Sequence, residues 1–180
     1  MAQQARKKPF EGLRVADFAW VGVGPTVSKY LADHGAEVIR IESSTYPEAL
    51  RRVGPFVNDT PNIDGSGYYA NFNSSKLCMS VNFKHPRGPE LVRRLVAKCD
   101  VVTESYTPGT MARFGFDYES LSAGRDDLLM VSMPLYGQTG PWANYMGYGH
   151  VLQAASGFNH LTGWEDGPPI GTGIAYTDFL

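Results

Sequence analysis

One carboxylate, one lysine and three glycine-bearing turns are the residues here whose types and spacing suit chemistry. The carboxylate is Asp178. A glycine- and proline-rich turn, Gly167-Pro168-Pro169-Ile170-Gly171-Thr172-Gly173, feeds the short apolar run that delivers it. Read from the tail alone, it is more readily a strand-end or cap carboxylate. No helix cap and no polar tail follows, so the chain is expected to be the front part of a longer protein, truncated after Leu180 where the chemistry begins. The lysine is Lys76, behind Asn71-Phe72-Asn73-Ser74-Ser75, a setting that suits a phosphate or an ordinary polar turn. The first glycine turn, Gly22-x-Gly24, opens a helix after a strand, and Glu42 stands about 20 residues on, as a ribose ligand would. Val27 occupies the third glycine position of the dinucleotide fingerprint. That points away from nicotinamide or flavin, toward another nucleotide-containing ligand or a plain tight turn. Glu104–Gly109 leaves the carboxyl end of a strand, where Tyr106 suits adenine stacking and Arg113 a phosphate or the surface. Tyr136-Gly137-Gln138-Thr139-Gly140-Pro141-Trp142 reads as backbone that comes close to a ligand, or as a simple connection.

The elements that must position these residues run strand, helix, strand in repetition. Leu13–Phe18 predicts a strand, and Thr26–His34 a helix that Pro25 opens and Gly35 ends. Glu37–Glu42 alternates as the next strand, giving a βαβ unit with a parallel, right-handed crossover. Ser43–Gly67, with Pro47, Pro55 and Pro61, predicts a surface excursion. Tyr68–Asn73 (helix), Cys78–Asn82 (strand), Pro86–Lys98 (helix, with Leu91, Leu95 and Val96 inward) and Val101–Glu104 (buried strand) follow. Short helices over Thr110–Phe114 and Tyr118–Ala123, a strand over Leu128–Met133 and a helix within Gly147–Gly157 complete the order. The fold class is α/β, with an open, mostly parallel, Rossmann-like sheet and flanking helices.

The 180 residues suffice for one sizeable core, at 43% hydrophobic and 19% charged content. A net charge of −2 argues against a nucleic-acid partner. Residues 1–9, with Arg6-Lys7-Lys8, read as a polar tail without signal-peptide character, and no apolar run is long enough for a membrane. Cys78 and Cys99 have no metal spacing; no metal is expected, and both read as buried free thiols in a reducing cytoplasm.

Five stretches taken together resemble the family III CoA-transferases. They are Leu13–Phe18 with Gly24-Pro25; Leu31–Glu42; Asn71-Phe72-Asn73 with Lys76; Asp100–Gly109; and Tyr136–Pro141 with Gly147-Tyr148 and Gln153-Ala154-x-Ser156-Gly157. The likeness covers nearly all of the chain from Phe10. It implies that residues 10–180 are the N-terminal part of a larger Rossmann-related fold, in an enzyme that forms an interlocked homodimer when full length, or a heteromer. It implies Asp178 as the catalytic nucleophile. Coenzyme A and acyl-CoA enter as substrates, beside a small carboxylic acid, with no permanently bound cofactor. The positions matching the family's CoA contacts are Val21, Val81, Lys84, Tyr106 and Arg113.

Departures fall on the substrate side. Gly22 stands where oxalate-using members carry a glutamine, Ser105 where they carry an asparagine, Ser43 an arginine and Met146 a lysine, which argues against oxalate. Gly149 replaces an acidic residue of many relatives. The α-methylacyl-CoA racemases of the family place a histidine where Tyr148 stands, and tyrosine is a poor base at neutral pH. His150 is one residue, about 100°, further round a helix. Three readings follow: a CoA-transferase working through an aspartyl anhydride and aspartyl-CoA thioester, a racemase-like isomerase, or a catalytically silent CoA-binding subunit. Trp20, Tyr148 and Trp164 suggest a roomy apolar acyl pocket, and His34, His85 and His160 read as surface or capping residues. This chain alone is expected to turn over little or nothing.

Overall fold

The structure is a computed structural model that describes residues 7–179. Its elements are β1 (Arg14–Asp17), α1 (Val23–Asp33), β2 (Glu37–Glu42), α2 (Gly67–Asn73), β3 (Leu77–Ser80), α3 (Gly88–Val96), β4 (Val101–Glu104), α4 (Thr110–Arg113), α5 (Tyr118–Leu121), β5 (Leu129–Ser132) and α6 (Gly149–Ala155). The strands form one parallel sheet in the order β3-β2-β1-β4-β5. Val15 pairs with Val38 on one side and Val101 on the other, so β1 is the central strand, with β2 and β4 beside it. Central parallel strands are covered on both faces and therefore read as short apolar runs.

Alternation along β1 sends successive side chains to opposite faces. Val15 packs with Ala32 and Ala36, from α1 and its end, and with Val38 and Val101. Ala16 faces the larger core, which holds Phe18, Ile41, Val92, Val96, Val102 and Phe116. Gly35 ends α1 at φ +109°, a conformation open to glycine. In α3 the inward residues are Val92 and Val96, with Leu95 partly buried, whereas Leu91, expected to face inward, is exposed. The rotation of α3 is set at its start: a Cβ on Gly88 would lie 2.2 Å from the Asn82 carbonyl oxygen, so that face must press against the chain.

Two further expectations are corrected. Residues 43–67 are not merely a surface excursion. Glu48 and Leu50 are buried, a 3₁₀ turn runs over Ala49–Arg52, and Leu50 packs with Tyr69 and Phe72. The physical reason is Arg40, a fully buried cation on β2 that needs an anion. Cys78 is exposed because β3 is an edge strand; Cys99 is buried, and burial pushes its thiol up to about 11. Lys8, in the expected polar tail, is exposed and lies beside Gly35 at the end of α1, and Phe10 N–H donates to the His34 carbonyl. Residues 1–6, including Arg6, and Leu180 lie outside the described residues. Among the described residues no helix is long and apolar enough to cross a membrane, and no group of three His, Cys, Asp or Glu is placed to hold a metal.

Candidate active site

In open parallel sheets, ligands sit beyond the carboxyl ends of the strands where the strand order reverses, here between β1 and β4. The two turns leaving these strands are joined. Trp20 N–H donates to Ser105 Oγ at 2.8 Å, and Ser105 Oγ donates back to the Trp20 carbonyl at 3.0 Å. Beneath them Asp17 is fully buried. It accepts from Ser28 Oγ, Thr103 Oγ1, the Ala19 N–H and Lys76 Nζ. The chain then passes through Val21 at φ +63° and enters α1. Gly24 has no alternative there, since its Cβ would stand 2.2 Å from that of Ala19.

Asp178 reaches this edge from the other side, in a 3₁₀ turn over Tyr176–Asp178. That turn is held to α6 by Thr177 Oγ1, which donates to the Gly149 carbonyl at 2.9 Å, and is closed on itself by the Asp178 N–H, which donates to the Ala175 carbonyl at 2.9 Å. Further back, the buried Gln153 of α6 donates through Nε2 to Thr172 Oγ1 (2.8 Å) and to the Ile174 carbonyl (3.1 Å). The half-buried Asp178 carboxylate lies between two glycines. A Cβ on Gly22 would be 3.2 Å from its Oδ2, and one on Gly149 would be 2.6 Å from its Oδ1. Burial pushes its pKa above the usual carboxylate range, against the opposing effects of the Gly149 N–H and of His150. A carboxylate so placed is poorly hydrated and faces an apolar space, conditions that favour its use as a nucleophile.

That space is a cavity of about 290 Å³, lined by Trp20–Val23, Ser105–Thr107, Thr110, Met133, Leu135, Gly147, Tyr148 and Asp178. A second, of about 380 Å³, shares Ser105–Thr107, Leu135, Gly147 and Tyr148 with it and continues toward Tyr145 and Met146. Tyr106 sits against Trp20, ring centroids 5.9 Å apart, and burial pushes its phenol up.

The structure therefore brings together Asp178, Gly22, Val21, Tyr106 and Tyr148 of the predicted residues. Arg113 is tied to the rim through Thr110, whose hydroxyl accepts from its Nη2 at 2.8 Å. Val81 and Lys84 are not in this lining: Val81 is in the larger core and Lys84 is exposed after β3. His150 is exposed, next to Gly149 but outside the lining, and Trp164 is exposed and also outside it. Lys76, read as a phosphate ligand, is instead buried, donating to Asp17, the Pro25 carbonyl and Asn73. Glu42, read as a ribose ligand, is taken by Arg51 and Tyr69. Met133, Leu135, Glu48 and Gln153 escaped the reading of the sequence. Of these, only Gln153 carried a signal, inside a stretch matched to the family.

The cleft and sheet define a doubly wound α/β protein with a carboxylate at its switch point. Residues 10–180 match the model of CoA-transferase family III, and the chain belongs to that family. It is similar to the mouse (Mus musculus) succinyl-CoA:glutarate CoA-transferase, with 40% identity over 172 residues, covering 95% of this chain and 38% of that protein. It is equally similar to the succinate–glutarate CoA-transferase of Agrobacterium fabrum, 40% identical over 178 residues, covering 97% and 44%. Among solved structures, a CAIB/BAIF family protein from Brucella suis superposes with a TM-score of 0.87 at 36% identity, covering 96% of this chain and 46% of that one. The chain thus spans less than half the length of the curated relatives it matches.

Proposed function

We propose that the protein moves coenzyme A from an acyl-CoA to a carboxylic acid, with Asp178 as nucleophile. The observation that carries this reading is the Asp178 carboxylate between Gly22 and Gly149, at the mouth of a largely apolar cleft between β1 and β4. The Asp178 carboxylate attacks the thioester carbonyl, forming a mixed anhydride and releasing CoA thiolate. The thiolate attacks the aspartyl carbonyl, which gives an aspartyl-CoA thioester and frees the donor acid. The acceptor carboxylate attacks that thioester, and CoA thiolate leaves. The thiolate then takes the acceptor's acyl carbonyl, and Asp178 is restored. Each step exchanges one acyl bond for another, so no outside reductant or oxidant is needed. Val21, Gly22, Tyr106 and Tyr148 line the path, and Arg113 stands at its rim. Val81 and Lys84 remain proposed contacts for a longer stretch of the CoA, outside this cleft. The names of the similar proteins, which pair succinyl-CoA with glutarate, support a small acid as acceptor.

Whole-length relatives call for the test to be made on the full-length protein. Intact-mass measurement after incubation with a panel of acyl-CoAs, followed by peptide mapping, should find a CoA-sized adduct on the peptide containing Asp178. Asp178→Asn should show neither adduct nor exchange. Exchange that persists in that variant overturns the nucleophile assignment. Deuterium at the substrate α-carbon without adduct indicates isomerase chemistry instead, and binding without either indicates a silent subunit. The proposed assembly is an interlocked homodimer, to be checked by light scattering.

A further inference from the structure

The first turn of the site is gripped from beneath by a buried ion pair. Arg40 on β2 and Glu48 ahead of the 3₁₀ turn are both fully withdrawn from solvent. Arg40 Nη2 donates to Glu48 Oε2 at 3.0 Å, and its Nη1 donates to the Ala19 carbonyl at 2.7 Å. The other carboxylate oxygen, Glu48 Oε1, accepts the Val21 N–H at 2.9 Å and, more weakly, the Leu50 N–H at 3.4 Å. The pair thus holds one carbonyl and one N–H of the same turn, two residues apart.

Val21 is the residue that needs holding. Its φ of +63° lies in the left-handed region, where a β-branched side chain is strained. Left to itself, the Val21 backbone would relax toward negative φ, and the following peptide would rotate. That peptide leads into Gly22, which faces Asp178 Oδ2, and Val21 and Gly22 both line the cleft. Stability alone is a weak reason for such a pair, since buried ion pairs are often replaced by apolar residues without loss. Apolar residues would supply neither the acceptor for Val21 nor the donor for Ala19.

We propose that Glu48, oriented by Arg40, is a positioning residue of the CoA-exchange site: it locks Val21 in the left-handed conformation and so sets the Gly22 wall against Asp178. This deepens the CoA-transferase reading and rests on it. In the full-length protein, Glu48→Gln keeps the shape but presents an amide with donors toward Arg40, so one of the two grips is lost. We expect kcat to fall by about 10-fold or more, with circular dichroism unchanged. Adding Val21→Gly, which accepts positive φ without strain, should recover several-fold of kcat relative to Glu48→Gln alone. A merely structural role predicts no such rescue. Wild-type kcat retained within twofold in Glu48→Gln, or strictly multiplicative effects of the two changes, would overturn the proposal. A second measurement depends on neither activity nor the folding of the variant. The Val21 amide of the wild-type protein should exchange slowly with solvent by NMR, and rapid exchange there overturns the positioning role. Wild-type protein with a protected Val21 amide but no CoA exchange would instead count against the CoA-transferase reading, leaving the lock itself supported.

Discussion

Adding one methyl group at Gly149 should disable the site while leaving the fold intact. The new Cβ would stand 2.6 Å from Asp178 Oδ1, 2.7 Å from its Cγ and 2.8 Å from Ala175 Cβ. Ordinary contact begins near 3.5 Å, so the carboxylate must retreat by about 0.9 Å. Misplacement of a reacting group by about 1 Å costs roughly 100-fold in rate. The Ala175 overlap must be relieved by the same shift of the 175–178 turn, so the stability cost should stay local to that turn and leave the sheet and its core folded. The same construction at Gly22 gives 3.2 Å to Oδ2, an overlap of only about 0.3 Å, so Gly22→Ala should cost a few-fold. The assay is the rate of CoA exchange and of adduct formation at Asp178 in the full-length protein, with thermal unfolding measured in parallel. A Gly149→Ala protein that keeps its rate within threefold, or Gly22→Ala slower than Gly149→Ala, would refute the two-glycine slot as the geometry that holds the proposed nucleophile.

Because burial raises the Asp178 pKa, exchange activity should fall with decreasing pH through an inflection above the ordinary 3.8, and an inflection at or below 3.8 contradicts this. The sign for stability is opposite: the folded state holds that proton more tightly than the unfolded one, so this group's contribution worsens as pH rises from the unfolded pKa to the folded one. Asp178→Asn should therefore melt higher than wild type at neutral pH, with the gap closing in acid; an unchanged or lower Tm at pH 7 would count against it. Asp17→Ala leaves the buried Lys76 ammonium without its carboxylate, while Arg40 keeps Glu48, and should lower unfolding free energy by about 3–5 kcal/mol in urea titration, a loss under about 1 kcal/mol being inconsistent with the pairing. Gln153→Ala removes both hydrogen bonds to the run leading to Asp178. It should cost about 1–3 kcal/mol and speed proteolysis within residues 170–178 first; cleavage elsewhere at the same rate would show the run is held by other means.

Local pattern carried most of the fold. β2 and β4 fall on the residues that alternation and apolar runs indicate, and α1 stops at Gly35 as expected. The two turns of the cleft were also legible, because glycines at strand ends report close approach of backbone, whereas Asp178 stood out through the resemblance to the family rather than through local pattern. What pattern could not carry was pairing across long stretches of chain. Lys76 looked free beside its polar neighbours, yet its partner Asp17 lies 59 residues earlier. Arg40 reads as the polar member of an alternating strand, and only the folded chain reveals that Glu48 comes back to meet it. Leu91 and Val92 are adjacent apolar residues on one helix, and the seat of Gly88 decided which faces the core.

Among the described residues, the sheet order leaves β3 and β5 with one neighbour each. Along β5, Leu129 and Val131 are 64% and 40% exposed on the same side, a greasy flank beside backbone that no other described residue pairs with. Such a strip recruits strands from other molecules unless something interrupts it. Here Asp126-Asp127 precede it and Pro134 follows closely, and the strand itself is only four residues long. Charge at one end and a missing donor at the other act as gatekeepers. Exchanging those two aspartates for apolar residues would convert the flank into a seed for aggregation without touching the cleft.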